Sequence, residues 1–100
     1  MRPSAALATG LLLCAGLVAA EPPTRGEQLA AACAGCHGPA STLPDPGRLP
    51  VDAFVARMEA YRASSPGGAD HAMEHFARAL APEDVTALAN HYAALRAERR

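Results

Sequence analysis

One hundred residues allow a single domain, and a formal net charge of −1, with nine arginines and no lysine, gives no basic field of the kind that holds nucleic acid. Two Phe, two Tyr and no Trp leave little aromatic mass for a core. A chain so composed needs something besides side-chain packing to stabilise it: a disulfide framework, a metal or a bound group.

The amino terminus reads as a targeting segment. Arg2 supplies a short positive region, residues 5–18 form an uncharged apolar run, and Val18-Ala19-Ala20 fits the small-residue pattern before a cleavage site. The run is too short to span a bilayer comfortably, which favours a cleaved signal over a retained anchor. Cys14 lies inside it, but Leu13 is too large for a lipoprotein cleavage site, so Cys14 is an apolar filler. Residues 1–20 are therefore expected to be a signal peptide and 21–100 the domain, exported to the periplasm with no stable membrane insertion after cleavage near Ala20. Its only cysteines, Cys33 and Cys36, could close no more than a trivial loop.

Thr24 followed by Glu27 is a capping box opening a helix over 25–34. Gly26 near its start is poor for helix propensity and marks a close crossing with another helix, for which His91 or Tyr92 is the natural partner. The run Cys33-Ala34-Gly35-Cys36-His37 follows, the pattern of a c-type haem attachment site. Cysteines three apart share a helix face, so both thiols can reach vinyl groups along one porphyrin edge, while His37 offers a ring nitrogen to the iron. A zinc site would want two more thiolates or imidazoles at similar spacing. A thioredoxin-like dithiol would want a preceding strand, and the preceding residues read as helical.

Four prolines and two glycines exclude a regular element over 38–50. Such a stiff loop can hold a backbone carbonyl at a fixed place beside the haem ligand. Val51, Phe54, Val55, Met58 and Tyr61 recur at helical spacing, with Asp52, Arg57 and Glu59 off that face, and give a helix that ends before Ser64. After a glycine-rich break a short helix or turn is expected within 70–80. Pro82, with Glu83 and Asp84 in the first turn, opens the last helix. Its apolar face is Val85, Leu88, Ala89, Tyr92 and Leu95, and Arg96, Arg99 and Arg100 suit the dipole at its end.

A second protein ligand would close the iron and favour electron transfer. Met58, Met73, His71, His75 and His91 are the candidates. Met58 sits on an apolar stripe, where methionine is more often core filling. Met73 follows the glycine-rich break in a segment able to fold over the distal haem face. The residues alone leave the choice open.

The stretch from Thr24 to Leu95 resembles the small monohaem class I cytochromes c of bacteria, and among them those related to the haem subunit of flavocytochrome c sulfide dehydrogenase. The resemblance rests on Gly26, on Cys33-Ala34-Gly35-Cys36-His37-Gly38, on Leu43-Pro44, on the helix from Phe54 to Arg62, on Met73, and on Val85 to Ala93 with Leu88-Ala89 and Tyr92. It implies an all-α fold of three to four short helices wrapped around one covalently attached haem c. Cys33 and Cys36 would hold the haem, His37 and Met73 would be the axial ligands, and the Pro44 carbonyl would sit on the free nitrogen of His37. The implied function is single-electron transfer between a redox protein donor and acceptor, with no bond chemistry of its own. Two alternatives stand beside it: the haem subunit of a flavocytochrome c sulfide dehydrogenase complex, taking electrons from a flavoprotein, and a five-coordinate gas-binding haem protein. The chain departs from the family in a shorter loop between His37 and Pro44, which exposes the proximal haem edge, and in Ala81, which stands where relatives often have a serine or threonine cap.

Overall fold

The computed structural model describes residues 2–4, 10, 16, 20–64 and 71–100, without the side chain of His71. Most of the expected signal peptide, residues 1–20, lies outside the described residues, as does 65–70. Among the described residues the fold is all-α: four helices, one 3₁₀ turn and no strand. None of these helices is long and apolar enough to cross a membrane.

Helix α1 is Arg25–His37. Its capping box closes as the sequence requires, with Thr24 Oγ1 accepting from the Glu27 amide at 3.2 Å and the Glu27 carboxylate accepting from the Thr24 amide at 3.1 Å. The helix continues three residues beyond the expected end at Ala34, so both cysteines and His37 lie on it. It stops at Gly38, which is extended at φ −68° and ψ 174°. Pro39 accounts for the stop, because the residue before a proline is driven out of the helical region. The alanine-rich stretch before it contains no such breaker.

The proline-rich loop is irregular except for the 3₁₀ turn Pro46–Arg48, which Asp45 caps by accepting from the Gly47 amide at 2.8 Å. Helices α2 (Val51–Ala63), α3 (His71–Arg78) and α4 (Pro82–Glu98) follow. Ala81 precedes α4 and has no side-chain acceptor to cap it. Asp84 compensates in part, accepting from the Ala81 amide at 3.3 Å. The same carboxylate meets Arg25 at 2.9 Å, tying the starts of α1 and α4 together at the surface.

Helix α4 packs against α1 and α2, and α3 against α2. The core between them is small. Ala30, Phe54, Met58, Ala77, Leu80, Val85, Leu88 and Ala89 are buried, three of the eight being alanine, and the largest fully buried side chains are Leu88 and Val85. The ring of Tyr92 packs at a tilt on Phe54, with centroids 5.8 Å apart, joining α4 to α2.

The crossing of α1 and α4 falls at Gly26. A Cβ there would lie 2.6 Å from the Ala87 carbonyl oxygen and 2.8 Å from His91 Cβ, so the partner is Ala87 with His91 rather than Tyr92. The first of these is backbone and cannot rotate away. Gly26→Val should therefore destabilise the fold by about 1–3 kcal/mol through overpacking. Denaturant unfolding checks it, and an unchanged midpoint would mean that the two helices part at little cost.

Candidate functional site

The site is assembled around the end of α1. His37 occupies the last position of that helix, and its Nδ1–H donates to the Pro44 carbonyl at 2.8 Å. A carbonyl can only accept, so Nδ1 carries a proton, and in the neutral ring the lone pair is then on Nε2. The loop is shaped to present this carbonyl. Ser41 N–H donates to the Gly38 carbonyl at 2.9 Å and the Leu43 amide to Ser41 Oγ at 3.0 Å, which folds the short stretch back after the helix.

Beside His37 lies a cavity of about 650 Å³, predominantly apolar, within the size range of sites that take small molecules and cofactors. Helix α2 lines it with Phe54, Arg57, Met58 and Tyr61, the loop with residues including Leu43, Pro44 and Arg48, and α3 with Ala72 and Met73. His37, Pro44, Met58 and Met73 are thus brought to one cavity from four separate segments. Met73 is half-buried, whereas Met58 is 4 % exposed and belongs to the core as well. Glu74, next to Met73, is buried, and its Oε2 has no hydrogen-bond partner among the described residues.

The remaining candidates fall elsewhere. His91 lies at the α1–α4 crossing, its ring 5.4 Å from that of Tyr92, beside a separate cleft lined by Gly26 and Ala87. His75 is exposed and does not line the cavity. The side chain of His71 lies outside the described residues. Neither cysteine lines the cavity either. Cys33 is half-buried against the core, its thiol donating to the Leu29 carbonyl at 3.6 Å, and Cys36 is exposed. Both belong to the final stretch of α1 that ends in His37, and both are free thiols.

The electrostatics of Cys33 bear on its chemistry. Burial pushes its thiol above the ordinary value, with a hydrogen bond from Tyr92 opposing in part. Burial likewise raises the Tyr92 phenol, reinforced by Cys33 and Asp45. Reactive dithiols are the reverse case, with thiolates stabilised at a helix N-terminus or beside a cation. Here the pair lies near a C-terminus, where the dipole disfavours negative charge. Among the described residues no three His, Cys, Asp or Glu side chains gather as a metal site.

Two features of the cavity were not anticipated from the sequence. Arg57 was placed off the apolar face of α2, but it lines the cavity with Phe54, Met58 and Tyr61. The signal was available, since position 57 follows 54 by three and precedes 61 by four on the helix. Arg48 also lines the cavity, and its place in an irregular loop has no periodicity from which to read it. No protein-family model, curated protein or solved structure matches the chain.

In chain produced with nothing attached to its cysteines, where both thiols are free, alkylation should distinguish them. Cys36, being exposed, reacts first, and the Cys33 rate rises with pH later than that of an ordinary thiol, because burial raises its pKa. Peptide mapping after timed alkylation at several pH values checks it. A Cys33 that reacted as fast as Cys36 at neutral pH would contradict the burial of its thiol.

Proposed function

We propose that this chain is an exported monohaem c-type cytochrome that passes single electrons between redox proteins in the periplasm. The observation that carries the reading is the histidine of the Cys33-Ala34-Gly35-Cys36-His37 run, held through Nδ1 on the Pro44 carbonyl beside a large apolar cavity. The donor set suits haem. Cys33 and Cys36 are the residues that would hold it through thioethers, and the unreactive setting of Cys33 favours a structural linkage over dithiol exchange. His37 Nε2 would hold the iron, and Met73, which lines the same cavity, would be the second protein donor. Arg48 and Arg57 supply cations for a cofactor that bears carboxylates.

Haem bound here supplies a one-electron couple at iron. The chain does the rest. The Pro44 carbonyl fixes the tautomer and orientation of His37 and raises its basicity, which favours the ferric state. A thioether from Met73 acts in the other direction, being a soft ligand that raises the potential. Apolar walls from Phe54, Leu49 and Met58 limit the water that must reorganise when charge changes. Leu43, the large hydrophobic residue with half its surface exposed, lies on the rim beside Pro44, where a small and transient contact with a redox partner would form. The protein performs no bond chemistry of its own on this reading, and the signal over residues 1–20 delivers it to the compartment.

Optical spectra of the purified protein in both redox states test the reading. The reduced form should give a haemochrome typical of two thioether links, and the oxidised form the weak red band of iron–sulfur ligation. Met73→Ala should abolish that band while the haem stays attached. Survival of the band in the variant would move the ligand to Met58, and absence of any haem band in the wild type would end the proposal.

A further inference from the structure

The loop that presents the Pro44 carbonyl to His37 is gripped from outside by one face of α4. Arg96, half-buried on that helix, donates from Nη1 to the Gly47 carbonyl at 3.0 Å and also to the Leu49 carbonyl. One turn earlier, Tyr92 lies against the same turn, where a Cβ on Gly47 would sit 3.5 Å from Tyr92 Cδ1. Residues 92 and 96 are four apart and so share a face. Within the loop, Asp45 holds the Gly47 amide at 2.8 Å, its carbonyl accepts from the Arg48 amide at 3.1 Å, and Pro44 and Pro46 fix two backbone torsions. The carbonyl that receives the His37 proton is covalently continuous with this turn, because Pro44 directly precedes Asp45.

We infer that Arg96 is a positioning residue for the proximal histidine, acting through the Pro44–Leu49 loop. The inference rests on the function proposed above. The two protons on its Nη1 let Arg96 meet two carbonyls of the turn at once. Loss of these two bonds frees the turn, and the Pro44 carbonyl no longer meets Nδ1 at a fixed distance. With the Nδ1 proton less firmly held, the imidazole donates less charge through Nε2 and the ferric state loses stabilisation. Arg96 therefore lowers the reduction potential from a position 59 residues along the chain from His37 and outside the cavity lining.

The test uses mature, haem-loaded protein and compares wild type with Arg96→Met, Arg96→Lys and, as a control, Arg25→Gln, which removes the exposed ion pair to Asp84. The expected result is a raised potential for Arg96→Met with the red iron–sulfur band retained, a smaller rise for Arg96→Lys, and no shift for Arg25→Gln. Amide exchange at Gly47 should quicken about tenfold in Arg96→Met, as for the loss of a charged hydrogen bond. An Arg96→Met protein with lowered thermal stability but wild-type potential would overturn the inference and leave Arg96 a structural brace. Should Arg96→Met fail to fold, Arg96→Lys is read alone by the same criterion. A wild type without covalent haem defeats the proposed function together with this inference, whereas a coloured wild type with an unmoved potential in the Arg96 variants defeats this one only.

Discussion

The hydrogen bond from His37 Nδ1 to the Pro44 carbonyl is the constraint on which the site depends. It joins the end of α1 to the start of the proline-rich turn and, in the neutral ring, puts the lone pair on Nε2. Everything on either side of it can be seen as holding its two ends still. On one side, the Thr24–Glu27 box and the Gly26 crossing seat α1 against α4. On the other, Asp45, Tyr92 and Arg96 fix the turn.

A core with three alanines among its eight buried hydrophobics supplies modest apolar burial for a domain of this size. Arginine side chains supplement it by reaching backbone carbonyls where the chain lacks regular partners. Arg62 donates to the Leu80 carbonyl at 3.0 Å, and Arg78 to the carbonyls of Arg62 and Ser64, so the C-terminal ends of α2 and α3 are tied together. Arg96 does the same for the turn. Charge-assisted bonds to partly buried carbonyls are stronger than neutral ones, and they also satisfy acceptors that a loop would otherwise leave to water.

Much of this was legible in the sequence because it depends on local spacing. The capping box, the helix over 51–63, the opening of the last helix by Pro82 and the close approach at Gly26 each follow from a few neighbouring residues. Helix α1 runs three residues past Ala34, since nothing before Gly38-Pro39 forbids helix. The choice between Met58 and Met73 could not be made from spacing, and both line the cavity in the fold. The arginine contacts were illegible for a different reason. Arg96 reads as a cation suited to a helix C-terminus, and its partners lie 47 and 49 residues away, a separation that leaves no pattern in the chain. Arg57 falls off the apolar stripe of α2, yet a long side chain can line an apolar wall with its stem while its head group stays polar.

On the proposed function, haem would be joined covalently to Cys33 and Cys36 after export, giving this aromatic-poor chain its interior and its activity together. The intact mass of the mature protein, isolated from the periplasm of cells with working haem ligation machinery, tests it most directly. The expected result is one species beginning after Ala20 and heavier than the polypeptide by a single haem, reduced to the bare chain mass by Cys33→Ser with Cys36→Ser. A folded mature chain at the bare polypeptide mass, with both thiols open to alkylation, would contradict it.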